Sequence, residues 1–283
     1  MMTHRFLFAL MLLAGFAALP AQAAVTCSMC AEWNKPQAPL RIYGDSYWVG
    51  VHGLGAILIV GSKGDVLIDG DLDISPPQIA DHIKALGFKL TDIKLILNTH
   101  AHTDHAGGIS QMQKMTGATV EASPWSAALL KKGGVAPEDP QFGILGPIAA
   151  VAKVRTIKDG ETVRLGPLAL TAHFTPGHTP GGTSWTWQAC EKSDCRTIAY
   201  VDSLTAVSAP KYRFIDHPEV VKQFEKSFTV VDTLPCDILI TPHPEASDFY
   251  ARVDKGALID PSACRRLADA SRIGLQKRLE GEK

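Results

Sequence analysis

Eight consecutive residues hold most of the chemistry this chain can offer: Asn98-Thr99-His100-Ala101-His102-Thr103-Asp104-His105. Three imidazoles and a carboxylate within six positions make a dense set of borderline nitrogen and oxygen donors, a combination that suits zinc. On an extended loop, His100 and His102 point the same way off the backbone, while Asp104 and His105 turn toward a second point. Two further histidines stand in similar surroundings. His178 lies in Thr175-Pro176-Gly177-His178-Thr179-Pro180-Gly181-Gly182, an irregular loop fixed by its prolines and glycines. His243 lies in Leu239-Ile240-Thr241-Pro242-His243-Pro244. His173 falls inside an apolar-alternating run and reads as a packed or edge histidine. A lone histidine in a turn is more often structural than ligating. Three histidine-bearing loops together make a shared metal site the stronger reading.

Elements that could bring these loops together are legible from periodicity. Short β-rich runs occur at Trp48-Val49, Ala56 to Val60 and Val66 to Ile68, separated by glycines. Pro77 to Leu86 has helical spacing at Ile79, Ile83 and Leu86, with Gly87 as its stop. Ile93 to Leu97 is a short apolar strand that runs directly into the histidine cluster. Ile109 to Met115 reads as a helix and Ala118 to Ala122 as a strand. Gly133 to Pro147, rich in glycine and proline, reads as an exposed loop. Strands are expected over Thr162 to Phe174, Thr183 to Trp187, Thr197 to Val201 and Ile238 to Ile240. Helices are expected over Pro218 to Val231 and Arg265 to Leu279. Trp185 and Trp187 share one face of a strand and read as core. This alternation predicts an α/β architecture of sheets covered by helices. In such folds chemistry gathers in loops past the C-terminal ends of strands, and three predicted strands end in a histidine-bearing loop.

The chain opens with Arg5 followed by an apolar run from Phe6 to Leu19, then Ala21-Gln22-Ala23, the pattern of a cleaved export signal over residues 1–23. The run is shorter than the ~20 residues a spanning helix needs. One domain, residues 24–283, is expected after cleavage, in the periplasm and without a membrane partner. The 28 basic side chains less Arg5 leave 27 against 29 acidic ones, a net charge of −2 with histidine neutral. So even a balance gives no reason to expect nucleic acid as a partner. Mean hydropathy near zero argues against disorder. All six cysteines follow the expected cleavage site, and an even count in an oxidising compartment reads as disulfides. Cys190 and Cys195 would bridge a hairpin loop. Cys236 and Cys264 would pin the C-terminal helix. Cys27 and Cys30 have the C-x-x-C spacing of redox or zinc sites. No βαβ pattern surrounds them and no second C-x-x-C exists, so a local bridge is the expected state.

H-x-H-x-D-H, then a glycine-histidine loop, then a final histidine, resembles the metallo-β-lactamase superfamily. The likeness runs from about Trp33 to Leu279. It implies an αβ/βα sandwich of two mixed sheets with helices on the outer faces, and two Zn2+ per chain at one edge. Carried over residue by residue, it implies His100, His102 and His178 as ligands of a first zinc. Asp104, His105 and His243 would be ligands of a second, Asp104 also orienting a metal-bridging hydroxide. Subclass B1 places a cysteine where this chain has Ser203, and subclass B2 replaces the first histidine, which is intact here. Ile198 to Leu204 and Leu234 to Pro244 both look like subclass B3 segments, and the Cys236 and Cys264 pair matches a bridge common in that subclass. The implied activity is hydrolysis of the β-lactam amide of penicillins, cephalosporins and carbapenems by a monomeric, resistance-conferring enzyme, without a covalent acyl-enzyme.

Ser203 and Thr205 stand where such enzymes hold the substrate carboxylate, although both equally suit strand-end caps. Gln141 and Phe142 would flank the cleft. Asp69, at the end of a strand, would hydrogen-bond the ligands from beneath. The alternatives are another hydrolase of the same fold, a glyoxalase II-like thioesterase or a lactonase, or a zinc-binding protein without catalysis. The thioesterases add an aspartate that bridges both metals, and the sequence leaves open whether Asp202 or Ser203 faces them. The export signal, the flanking segments and the final Thr-Pro-His-Pro favour the lactamase. Three protein ligands per metal leave coordination positions open, which catalysis needs.

Overall fold

Side-chain alternation along a few strands generates the whole layering. In the computed structural model, which describes residues 27–283, Ile57, Ile59, Val66 and Ile68 face one core while Leu58 and Leu67 face another. On a second sheet, Ile198 and Tyr200 face that same first core while Ala199 and Val201 face a third. A period of two on both sheets buries both faces of each, so the molecule must stack as helices, sheet, sheet, helices. The leader expected over residues 1–23 lies outside the described residues.

In chain order the structure runs α1 (Cys30–Trp33), β1 (Leu40–Tyr43), β2 (Ser46–Trp48), β3 (Ile57–Ile59), β4 (Asp65–Ile68), α2 (Pro76–Ala85) and β5 (Ile93–Leu97). There follow α3 (Thr103–Ala106), α4 (Ile109–Thr116), β6 (Thr119–Ala122), α5 (Pro124–Lys132) and β7 (Val154–Thr156). The second half holds β8 (Thr162–Leu165), β9 (Leu168–Phe174), β10 (Thr183–Glu191), β11 (Asp194–Tyr200), α6 (Pro218–Thr233), β12 (Ile238–Ile240), α7 (Phe249–Asp254) and α8 (Ala263–Gly281). The first sheet has the order β1-β2-β3-β4-β5-β6-β7, antiparallel up to β4 and parallel beyond it. The second has the order β12-β11-β10-β9-β8, antiparallel except for the β11–β12 pair. Both sheets are mixed, and the αβ/βα sandwich is the observed architecture.

Ile79, Ile83, Ile109, Met112 and Leu130, from α2, α4 and α5, cover the outer face of the first sheet. Phe224, Phe228, Val231, Ala268 and Leu275, from α6 and α8, cover the second. Cys236 and Cys264 are bonded and tie α8 to the loop before β12. Cys190 and Cys195 close the β10–β11 hairpin as directly paired residues. Trp185 and Trp187 are buried between the sheets, where each indole N–H finds an acceptor, Asn98 O and Ser46 Oγ.

Two expectations need correction. The run from Thr162 to Phe174 is not one strand but the β8–β9 hairpin, because Gly166 adopts φ 57° and turns the chain. The segment from Gly133 to Pro147 is not simply exposed. Ala136, Asp139 and Gln141 are buried, and Gly134 pairs with Ile148 to close the segment onto the body.

Candidate metal centre

Five strand ends converge at one edge of the sandwich. Asp69 follows β4, His100 follows β5, His178 follows β9, Asp202 follows β11 and His243 follows β12. The N–H of Thr183 donates to Thr99 O across the seam (2.8 Å) and fixes the two sheets' loops against each other. The histidine cluster is not extended throughout, as the sequence suggested. His102 is extended (φ −82°, ψ 157°), and Thr103 to Ala106 then make a helical turn. That turn swings Asp104 and His105 away from His102, which produces the second point by a helix rather than by strand alternation.

The structure groups the side chains into two neighbouring sets. Potential ligand atoms of His100, His102 and His178 lie within 4.8 Å of one another, as do those of His100, Asp104 and His105. His243 completes the second set: its Nε2 is 3.2 Å from His105 Nε2 and 3.3 Å from Asp104 Oδ2, and His105 Nε2 is also 3.3 Å from Asp104 Oδ2. Ligand atoms at tetrahedral corners, each about 2.0–2.1 Å from a zinc ion, sit roughly 3.4 Å apart. The Asp104–His105–His243 triangle has those sides.

Each ring of the first set uses its outer nitrogen to bond the protein. His100 Nδ1 pairs with Asp202 Oδ1 (2.7 Å), His102 Nε2 with Asp139 Oδ2 (3.0 Å) and His178 Nδ1 with Thr205 O (2.8 Å). An outer N–H that donates leaves the inner nitrogen as a lone pair, the form a metal ligand needs. Burial holds His102 and His178 neutral by pushing both down to about 3, His105 to about 4 and His100 well below its usual range. His243 goes the other way. Burial lowers it, but the hydrogen bond and charge of Asp104 outweigh that and raise it. Burial likewise opposes ionisation of Asp104, and His105 and His243 overcome it and hold the carboxyl well below the usual carboxylate range.

Five carboxyl groups surround these rings: Asp69, Asp71, Asp104, Asp139 and Asp202, none more than 8% exposed. Among the described residues no lysine or arginine pairs with any of them; the ion pairs they make are to histidine alone. Burial lifts Asp71 and Asp202 to about 7 as a result. So much uncompensated buried acid calls for bound cations. Buried atoms without any partner include His100 Nε2, Asp104 Oδ1, Asp71 Oδ1 and Asp202 Oδ2. The donor set, the spacing and the orphaned atoms all fit a divalent metal such as zinc.

Asp69 touches no imidazole. Its Oδ1 accepts from Asn98 Nδ2 and Thr99 N, and its Oδ2 from Thr99 Oγ1, so it holds the loop leading into His100. Asp202 lies behind His100, and Gly182 makes room for it. A Cβ at Gly182 would stand 2.7 Å from Asp202 Oδ2 and 2.4 Å from Thr175 O. Ser203 is half-buried and Thr205 exposed, and both line a cleft of about 480 Å³ with Trp33, His178 and His243. Gln141 points Nε2 at His178 Nε2 (3.3 Å), while its backbone N–H donates to Asp139 Oδ1. Tyr212 stacks on His217 outside this cleft. Sequence reasoning missed Asp139 and Asp71. Asp71 carried a signal, an Asp-Gly-Asp turn straight after a strand, with Asp69 (φ 62°) and Asp71 (φ 55°) both left-handed. Asp139 carried none, since nothing local marks a carboxylate that reaches a histidine 37 residues away.

The sequence model of the Metallo-beta-lactamase superfamily matches residues 55–190. The crystal structure of the metallo-β-lactamase SMB-1 bound to 2-mercaptoethanesulfonate aligns with a TM-score of 0.87 at 49% identity, covering 89% of this chain and 99% of that one. MEM-A1, described as a subclass B3 metallo-β-lactamase isolated from a soil metagenome library, aligns with a TM-score of 0.86 at 47% identity, covering 88% and 98%. Among curated proteins, the hydroxyacylglutathione hydrolase of Rhodopseudomonas palustris (strain ATCC BAA-98 / CGA009) is 34% identical over 137 residues, 47% of this chain and 43% of that protein. The match thus spans less than half the length of this curated relative.

Proposed function

Since the chain belongs to the metallo-β-lactamase superfamily and resembles its subclass B3 members, we propose that it is a two-zinc β-lactamase that hydrolyses the β-lactam amide of penicillins, cephalosporins and carbapenems and so confers antibiotic resistance. The observation that carries this reading is the pair of adjoining ligand triads at the floor of one cleft. His100, His102 and His178 would hold the first ion, and Asp104, His105 and His243 the second. Bound zinc supplies Lewis acidity, polarising the lactam carbonyl and lowering the pKa of water toward neutrality.

The chain's own residues do the rest. Asp104 Oδ1 is buried without a partner, and can accept a hydrogen bond from the attacking water and aim its lone pair at the carbonyl carbon. The Gln141 amide, directed at the inner nitrogen of His178, can donate to the carbonyl oxygen as charge builds on it. Ser203 and Thr205 would bind the substrate carboxylate from the cleft wall. Water adds across the C–N bond, OH to carbon and H to nitrogen, and no serine nucleophile or acyl-enzyme is involved. The export pattern and three disulfides favour the periplasm. Among the described residues no helix is long and apolar enough to cross a membrane. We read the chain as a monomer acting on a small molecule.

A second reading, thioester hydrolysis, has the curated relatives in its favour. It needs Asp202 between two metals, whereas Asp202 Oδ1 accepts from the outer nitrogen of His100. The test is turnover of a carbapenem and a chromogenic cephalosporin by the purified mature chain, with and without a chelator. Turnover that chelation stops and zinc restores is the expected result. Two equivalents of zinc without lactam turnover would move the assignment to a thioester or lactone substrate.

A further inference from the structure

One cross-link, Cys27–Cys30, has a purpose that neither the fold nor the metal site explains. Cys27, exposed, and Cys30, partly exposed, are bonded across the start of α1. Cys30 and Trp33 pack together against Val51, Leu54 and Leu72. From there the Trp33 ring reaches the metal centre, 5.1 Å from the His243 imidazole at an interplanar angle of 54°. Trp33 also divides the metal cleft from a second groove of about 350 Å³, beside His52 and Tyr250.

Nothing intrinsic to α1 keeps it folded. Four residues are too few for a self-sustaining helix, and no side chain caps its start. Two backbone bonds attach it to the body, His52 N–H to Lys35 O (3.0 Å) and Gly53 N–H to Trp33 O (2.9 Å). Contact is close enough that a Cβ at Gly53 would stand 2.4 Å from Trp33 Cδ1. Beyond the helix, Asn34 is also held by Ser75 Oγ and Gln78 Nε2. The Cys27–Cys30 bond adds no link to the body but closes the start of α1 on itself, which stiffens the segment that carries Trp33.

We propose that the Cys27–Cys30 disulfide is a positioning element that holds Trp33 against His243, so that its reduction loosens this wall of the cleft and weakens the grip on substrate. The statement about substrate rests on the β-lactamase reading; the statement about the wall does not. A dithiol would do the reduction. Its thiolate attacks one cysteine sulfur and breaks the S–S bond, its second thiolate closes on the mixed disulfide, and the products are two cysteine thiols and a cyclic disulfide. Cys236 and Cys264 are 8% and 2% exposed and would resist the same treatment. Cys190 and Cys195 are exposed but lie on the β10–β11 hairpin, and serve as the control.

The test compares zinc-loaded wild type, Cys27→Ser/Cys30→Ser and Cys190→Ser/Cys195→Ser. Amide hydrogen exchange at His52 and Gly53 should accelerate about tenfold in the first variant and stay unchanged in the control. KM for a chromogenic cephalosporin should rise roughly three- to tenfold with kcat little changed, the loss of one aromatic contact, and Trp33→Ala should reproduce it. Should the double serine variant not fold, brief dithiothreitol treatment of wild type, with alkylation to identify the opened bridge, gives the same comparison. Unchanged exchange at His52 and Gly53, or an equal effect in the control, overturns the proposal. Exchange is read without turnover, so a failed substrate assignment and a failed positioning role would be told apart.

Discussion

The two halves of the proposed metal centre are built to different standards of support. In the first triad every outer ring nitrogen has a protein partner, and those partners come from two separate segments: Asp139 from one, and Asp202 and the Thr205 carbonyl from the loop after β11. In the second triad the outer nitrogens have none. His105 Nδ1 and His243 Nδ1 are both unpartnered, and the nearest carboxylate to His243 Nδ1, Glu245, is 3.9 Å away. His243 also keeps 21% of its side chain exposed, whereas His100 is fully buried. The first triad is therefore oriented before any ion arrives, while the second depends on Asp104 and on Trp33 packing from outside. Pre-oriented ligands lose less freedom on binding, so the first triad should hold its ion more tightly.

The largest expected effect comes from removing the residue that serves the weaker half and the chemistry at once. Asp104→Ala should lower kcat/KM roughly a thousandfold, the scale of several kcal/mol of charge stabilisation, while circular dichroism stays native. It should bind one zinc instead of two. Near-normal turnover would break the two-site assignment altogether. Next comes a pair of substitutions that separates the halves. Asp202→Asn removes the charge behind His100 and should weaken binding of the tighter ion about 10- to 100-fold. Glu245→Gln, at the unsupported ring, should change affinity little. If both cost the same, the difference in support is an accident of packing.

Acid should take the halves apart in order. A protonated imidazole has no lone pair for a metal, so each triad fails as pH falls through the pKa of its most basic ring. His243 is raised above its ordinary 6.5 by Asp104, whereas His102 and His178 are pushed down to about 3 by burial. Metal content after dialysis should therefore fall from two equivalents to one as the pH drops below neutrality, with the remaining ion persisting to lower pH. Loss of both in one step would contradict the ranking of the two halves.

The same contrast explains what could be seen in the sequence. The proposed ligands announce themselves locally: His100, His102, Asp104 and His105 share one loop, and His178 and His243 sit in proline- and glycine-marked turns directly after apolar strands. Sheets covered by helices were legible from the alternation of short apolar runs with helical spacing, whereas the two-sheet sandwich came from the resemblance alone. What supports the ligands was not legible, because it acts across the fold. Asp139 meets His102 only because α5 and the segment after it close over the site, and burial of that segment is hidden by a glycine-rich composition that reads as surface. Asp202 was noticed but not oriented, since a one-residue choice between it and Ser203 depends on how β11 leaves its sheet. The helical turn α3 was missed because four residues are too few to show a helical period.

The smallest effect should come from the cleft wall, and it sharpens the comparison by leaving both triads alone. Ser203 and Thr205 are two residues apart and line the same cleft, but only Thr205 touches a ligand, and chiefly through its backbone: its carbonyl accepts from His178 Nδ1 at 2.8 Å, against 3.3 Å for its hydroxyl. Ser203→Ala should thus remove a substrate contact and nothing else. KM should rise up to about tenfold, the worth of one hydrogen bond to a carboxylate, with kcat and zinc content unchanged. Thr205→Val keeps the carbonyl and should also leave zinc content intact. If instead it released metal from the first triad, the hydroxyl rather than the backbone would be what holds His178, and the support credited to that half would rest on a side chain exposed to solvent.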